Sequence, residues 1–309
     1  METRNIGELD ISLVGLGCNN FGIRCDQDTV NAIIFTCLDQ GVNHLDTADV
    51  YGNGASEEML GKAVGSNRDE FVIATKFGLR GMDLGLTGGS ETWVKRAIDQ
   101  SLRRLATDWI DLYQLHTPDS EVPISETLGA LHEQVVAGKV REIGCSNFEA
   151  EGLDNATDIA ERYSLTPFAS IQNRYSVLHR EPEDEVLPVC GDRGVAFVPF
   201  FPLESGLLTG KVGPDGPTPG TRLADWPEDR VADFLSDDKQ RRAHRLAVFA
   251  DSRGWSLLEL SMSWLTQRPS VASVIAGATR PEQVIQNASA TRWKMSDDEL
   301  AEIDDIIKS

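Results

Sequence analysis

The sequence predicts a closed (β/α)8 barrel, and three observations carry that prediction. Eight short apolar, strand-like runs recur along the 309 residues, each followed by a helix-like run. Strands alternating with helices imply parallel pairing. The chain keeps one texture from end to end, with no composition shift or linker. A single domain over residues 1–309 is therefore expected, in the size range of one barrel of roughly 250 residues with extensions. Finally, no G-x-G-x-x-G follows an early strand, and Gly52-Asn-Gly54 lacks the third glycine in place. That weakens the rival, a doubly wound Rossmann-type sheet.

Taken in order, Arg4–Leu13 reads as an N-terminal β-hairpin and Val14–Cys18 as the first barrel strand. Asp28–Gln40 reads as a helix with Asp28 as its cap and Gly41 just past its end. Asn43–Asp46 and Phe71–Lys76 are the next strands, with Ala55–Val64 and Glu91–Leu105 the helices that follow them. Ile110–Leu115, Glu142–Ser146 and Ala169–Gln172 are strands, alternating with helices Ser125–Ala137, Ala150–Tyr163 and Glu183–Arg193. Val195–Phe200 is the seventh strand; Ala272–Ile275 and the helix Pro281–Ala290 form the last pair. A further helix over Ser296–Ile307, with Ser296 and Glu299 as a capping box, is expected to pack outside the barrel.

Two stretches are longer than ordinary connections. Residues 77–89 are rich in glycine and 211–236 in proline and glycine. Both follow strands, so on a barrel both lie over the C-terminal mouth, where active sites sit.

Composition narrows the function classes. With 29 Lys+Arg against 49 Asp+Glu, the formal charge is −20. Such a chain is a poor partner for nucleic acid or an anionic membrane surface, and any anionic ligand must find locally placed cations. No run approaches ~18 apolar residues, so no membrane span is expected. The N-terminus has two early acids and no apolar segment, unlike a signal peptide. Cys18, Cys25, Cys37, Cys145 and Cys190 are scattered, without zinc-like spacing. They read as reduced thiols of a cytoplasmic protein, and no metal site is expected.

The informative residues are strand ends. His44-Leu-Asp46 closes on an acid, Phe71–Lys76 on a lysine, and the run Asp111–His116 on a histidine. Buried parallel strands should be apolar throughout, so these charges gather Asp46, Lys76 and His116 around one mouth, with Tyr51 five residues beyond Asp46. Taken singly, each has an ordinary alternative: a helix cap, a solvated lysine, a structural histidine. Together they form a proton-donating unit. An ammonium beside a phenol favours the phenolate, a carboxylate keeps a buried lysine charged, and a neutral imidazole can orient a carbonyl. Such a group can protonate an oxygen as charge develops on it.

The run Gly41–Gly61, containing His44-Leu-Asp46 and Val50-Tyr51-Gly52, resembles the first signature of the aldo-keto reductase superfamily. So do Thr75-Lys76, Asp111–His116, Gly144-Cys-Ser146-Asn147-Phe148 and Val274–Asn287, in the family's order and across the whole chain. The resemblance implies a (β/α)8 barrel that uses NADP(H), with NAD(H) open, to interconvert aldehydes or ketones and alcohols. By the same resemblance Tyr51 is the general acid/base, Lys76 and Asp46 the pair that lowers its pKa, and His116 the carbonyl-orienting group. Ser146, Asn147 and Gln172 then hydrogen-bond the nicotinamide carboxamide, and Phe200 stacks on its ring. Pro202, Leu203, Gly206, Lys211 and Arg222 match the pyrophosphate segment. Gly277, Thr279, Arg280, Gln283 and Asn287 match the adenosine and 2′-phosphate site, with Arg280 the best phosphate partner. Asn20, Phe21 and Trp226 are substrate-pocket candidates. Ala276-Gly277-Ala278 and Gln283 replace the family's frequent Pro-Lys-Ser and Arg, and Phe201 replaces a small hydroxyl residue. The expected activity is an NADP(H)-dependent aldo-keto reductase. An NAD-linked sugar or alcohol dehydrogenase, or a nucleotide-binding regulatory subunit with little turnover, are the alternatives. The oligomeric state is not legible.

Overall fold

A computed structural model describes residues 1–79, 88–213, 216–227, 231–232 and 234–308. Eight parallel strands form one sheet: β3 (Val14–Gly17), β4 (His44–Asp46), β5 (Val72–Phe77), β6 (Ile110–Leu115), β7 (Val140–Ser146), β8 (Ser170–Arg174), β9 (Ala196–Phe200) and β12 (Val274–Gly277). Each pairs with the next in sequence, and β12 pairs back onto β3. The ring closes between β9 and the lead-in to β12, where Phe197 N–H donates to Ser270 O (2.8 Å) and Ala272 N–H to Phe197 O (2.9 Å). This is the expected (β/α)8 barrel.

The sequence explains the layers. Inward-facing Ala74, Leu112, Val198, Ala272 and Ile275 pack into one cluster with Ile6, Leu9 and Ile11. The last three come from the N-terminal hairpin, β1 (Thr3–Ile6) and β2 (Leu9–Ser12), which therefore plugs one end of the barrel. Arg4 pins it there by donating to the carbonyls of Thr266 and Val271. Outward-facing strand residues such as Leu45, Ile73 and Ile143 meet the helices in a second, larger core.

Most helices end where their residues dictate. Asp26, not Asp28, caps the helix Gln27–Gln40, its Oδ1 accepting from Thr29 N–H at 2.9 Å; Gly41 closes that helix at φ 69°. Asp28 sits in the first turn instead, where its charge faces the positive helix end. The expected box at Ser296 and Glu299 is formed, with bonds of 2.8 and 3.2 Å, and it opens the outer helix Asp297–Lys308. Two helices not expected from the sequence, Asp237–Asp251 and Leu257–Thr266, fill the stretch between β9 and β12. Of the two long loops, residues 80–87, 214–215, 228–230 and 233 and the side chain of Arg222 lie outside the described residues. Within the second loop a short hairpin forms, β10 (Val212–Gly213) with β11 (Gly216–Pro217). All five cysteines are free and buried. Among the described residues no helix is long and apolar enough to cross a membrane.

Candidate active site

Parallel register brings the strand-end residues together. Asp46 of β4 lies opposite Ala74 of β5, and Lys76 stands two residues further on. Side chains alternate along a strand, so Ala74 and Lys76 share the inward face. On β6, Gln114 lies opposite Lys76 and faces inward beside it; Gly144 of β7 comes next, and Ser146 pairs with Gln172 of β8.

Lys76 is fully buried, and its Nζ donates to Asp46 Oδ2 (2.7 Å) and to the Thr47 carbonyl (2.8 Å). Gln172 Nε2 donates to Asp46 Oδ1 at 2.9 Å, and Gln114 Nε2 is at 3.4 Å from the same oxygen. The carboxylate is thus held on both oxygens by side chains from three other strands. Burial alone would lower the Lys76 pKa, but the Asp46 carboxylate and the Tyr51 phenol outweigh it, and the ammonium is held above its ordinary value.

Tyr51 opens a one-turn 3₁₀ helix, Tyr51–Gly54, that leads from β4 into the helix Ala55–Val64. Lys76 Nζ lies 5.2 Å from the centre of its ring. Burial raises the Tyr51 pKa, and the ammonium opposes that without reversing it. The sequence suggested a net lowering; in the folded protein desolvation is the larger effect. The phenol therefore keeps its proton at neutral pH and remains a donor.

His116 follows β6, with its N–H bonded to the Phe77 carbonyl at 2.8 Å and its ring edge-on to Tyr51 at 6.0 Å. Burial, reinforced by Lys76, lowers its pKa to about 3, so the imidazole is neutral. Its Nδ1 is buried without a hydrogen-bond partner among the described residues.

Asp46, Tyr51 and His116 line one cleft of about 690 Å³ at the C-terminal end of the barrel, with the fully buried Lys76 outside its lining. Asp46, Tyr51, His116, Ser146, Asn147 and Gln172 form its floor. Ser146 Oγ donates to the Gln172 carbonyl (2.8 Å), and Asn147, at φ 60°, donates through Nδ2 to the His116 carbonyl (2.9 Å). The segment after β9 lines it with Phe200, Pro202, Leu203, Gly206 and Lys211, and the segment after β12 with Gly277, Thr279, Arg280 and Gln283. Gln283 Oε1 accepts from Thr279 N–H at 2.7 Å, which fixes the turn before the helix Pro281–Ser289. Glu204, Ser205 and Gly206 all have positive φ, and the buried Ser205 hydroxyl has no partner among the described residues. The Glu204 and Gly206 N–H groups donate to the Phe201 and Leu203 carbonyls (3.0 and 2.8 Å), and Ser205 lines the cleft.

Not every expected residue reaches the cleft. Phe21 is fully buried in the outer core, packed behind the first strand rather than facing the mouth. Asn287 is buried one helical turn beyond Gln283, away from the lining. Trp226 is half-buried against Phe234 (5.4 Å), which meets Phe201 edge-on at 5.5 Å. Asn20 lines the cleft and donates to the Ala278 carbonyl at 3.3 Å. Arg24 was not expected, because nothing in its local sequence marks it. It lines the cleft from the loop after β3 and donates to Gly220 O (2.9 Å) and Asp225 Oδ2 (2.7 Å) across it. With Lys211 and Arg280 it gives the lining three cations against one acid, Asp46, among the described residues, in a chain of net charge −20.

The model of the aldo/keto reductase family matches residues 13–308. The chain belongs to that family. Its similarity to individual members spans nearly the full length of both partners. It is 32% identical to the aldo-keto reductase YhdN of Bacillus subtilis, over 100% of this chain and 94% of that one. It is 33% identical to a probable voltage-gated potassium channel subunit beta of Arabidopsis thaliana, over 94% and 91% of the two chains. Among solved structures, a glycerol dehydrogenase from Gluconobacter oxydans superposes with a TM-score of 0.84 at 29% identity, covering 99% of this chain and 94% of its own. In this aldo/keto reductase, the cleft occupies the face where barrel enzymes carry their chemistry, and the fold is that of the family's oxidoreductases.

Proposed function

We propose that this aldo/keto reductase reduces aldehydes or ketones with NADP(H), or oxidises alcohols in reverse, with Tyr51 as the acid/base. The observation that carries the proposal is a neutral phenol and a neutral imidazole facing one cleft, backed by a buried ammonium–carboxylate pair.

The cleft suits a dinucleotide. Ser146, Asn147 and Gln172 would hold the carboxamide, whose donors and acceptor they complement. The turn at Glu204–Gly206, with Ser205 Oγ free to donate, and Lys211 would hold the pyrophosphate. Arg280, at the start of the helix Pro281–Ser289, would take the 2′-phosphate. Bound nicotinamide supplies or accepts the hydride.

The chain's own residues handle the oxygen and its proton. His116 donates through one ring nitrogen to the carbonyl oxygen and sets its direction. Tyr51 delivers its proton to that oxygen as negative charge builds there. Lys76 lies against the Tyr51 ring and stabilises the phenolate left behind, and Asp46 holds Lys76 charged. Phe200 and Phe201 give this part of the cleft an apolar lining, with Phe234 packed edge-on behind Phe201.

A regulatory reading is favoured by one observation, the similarity to potassium channel beta subunits. The test follows NADPH and NADH oxidation with a panel of aldehydes, ketones and hydroxy-carbonyls, beside fluorescence titration of both nucleotides. Multiple turnovers with NADPH support the proposal. Tight binding with at most one turnover supports the regulatory reading, and preference for NADH removes the 2′-phosphate assignment of Arg280.

A further inference from the structure

Outside the barrel wall, behind the strand ends that carry Lys76, lies a charged cluster that the proton-donating unit does not use. Glu57, on the helix Ala55–Val64, is fully buried. Its Oε2 accepts from Arg104 Nε and its Oε1 from Thr75 Oγ1, both at 2.6 Å. Asp49 faces the same guanidinium. Its N–H is tied to the Lys76 carbonyl (3.1 Å), yet its Oδ1 is buried with no hydrogen bond among the described residues. Tyr113 of β6 presents a buried hydroxyl that is likewise unpaired among them.

The charged and titratable groups around Asp49 come from every element packed against it: Glu57 from the helix Ala55–Val64, Arg104 from Glu91–Leu105, Lys76 from β5 and Tyr113 from β6. Two carboxyls thus face one guanidinium, which Glu57 already engages, while Lys76 is committed to Asp46. A buried carboxylate oxygen without a donor is unfavourable. Protonating Asp49 removes the buried charge and its repulsion from Glu57. Burial first, then the Glu57 charge, push Asp49 up to about 7, against the pull of Arg104, the Val50 backbone N–H and Lys76.

The cluster touches the Tyr51 turn directly. Asp49 precedes Tyr51 by two residues, and a Cβ on Gly54 would lie 2.9 Å from Arg104 Cδ, so the arginine stem packs flat on the end of that turn.

We infer that Asp49 is a positioning residue, neutral in the working enzyme, and that its ionisation draws Arg104 from Glu57 and displaces the turn that carries Tyr51. The inference rests on Tyr51 as the proton donor. The sign follows from linkage: a carboxyl held above its ordinary value favours the compact arrangement while protonated, and that contribution is lost as pH rises through about 7.

The test is kcat/KM against pH for wild type, Asp49→Asn and Glu57→Gln. Wild type should fall several-fold between about pH 6 and about pH 8.5, following one ionisation. Asp49→Asn should be flat over that range within about twofold, whatever its absolute rate. Glu57→Gln removes the like charge and frees Arg104, so its limb should move to lower pH. A second readout needs no activity. Infrared spectra of the protein without nucleotide should show a carboxylic-acid carbonyl band that wild type loses near neutral pH and Asp49→Asn lacks. The same limb in Asp49→Asn, or no such band, overturns the inference. Full activity in Tyr51→Phe would remove the proton-donor reading instead, while the infrared titration still decides whether Asp49 is neutral.

Discussion

Replacing Lys76 with methionine keeps the length of the buried stem and removes the charge beneath Tyr51. Asp46 would then face the barrel interior with only Gln172, at 2.9 Å, and Gln114, at 3.4 Å, as donors. Breaking one side of a buried ion pair costs about 3–5 kcal/mol, because the remaining charge is left unpaired. Unfolding entropy near 2.1 cal/mol/K per residue gives roughly 0.65 kcal/mol/K for 309 residues, so the melting temperature should fall by roughly 5–8 °C. Wild type keeps the full contribution of Lys76 at neutral pH, since a raised lysine pKa is lost only as pH climbs through it. In Lys76→Met the stranded Asp46 becomes a raised carboxyl, so the deficit should shrink between about pH 8 and about pH 5. Adding Asp46→Asn should recover part of the lost stability, since the stranded charge goes with it. Thermal melts of wild type, Lys76→Met, Asp46→Asn and the double variant at both pH values make the comparison. Additive losses with no pH dependence would refute the view that an ionised Asp46 needs this lysine.

Three further outcomes follow from the same geometry. His116 is neutral down to about pH 3 when folded but charges near its ordinary value when unfolded, so it costs the fold about 2 kcal/mol between about pH 7 and about pH 5; His116→Gln should flatten acid destabilisation by that amount in urea titrations. Arg280 is exposed and shares its charge with Glu282 at 3.7 Å, so Arg280→Ala should weaken NADPH binding by only about 5–10-fold, with NADH unchanged and the difference fading at high salt; equal effects on both nucleotides would displace the 2′-phosphate site. Gly206 sits at φ 113°, where a side chain is strained, so Gly206→Val should cost roughly 1–3 kcal/mol or reshape the turn, weakening both nucleotides alike in fluorescence titrations.

Much of this molecule was legible in its residues. Eight apolar runs with helices between them gave the barrel, and charges at the ends of three of those runs gave Asp46, Lys76 and His116 one face. Local patterns misled where tertiary burial decides. The helix Leu257–Thr266 is buried almost all round, so it shows no amphipathic period, although its capping box at Ser256 and Glu259 was a usable signal. The helix Asp237–Asp251 follows a proline-rich loop and is heavily charged, which hid its apolar stripe of Ala243, Leu246, Phe249 and Ala250. Phe21 reads as a mouth residue beside Asn20, but the turn after β3 carries it into the core. The direction of the Tyr51 pKa depended on weighing burial against Lys76, and the Asp49–Glu57–Arg104 cluster on contacts among a loop and two helices. Neither quantity is written in any single stretch of sequence.

Whether Tyr51 donates the proton is read from kcat/KM of Tyr51→Phe beside wild type. The substitution removes one hydroxyl and leaves the ring against Lys76. A proton donor at Tyr51 requires a fall of about 10²–10⁴-fold at every pH, with nucleotide affinity unchanged. Activity within a few-fold of wild type would contradict it.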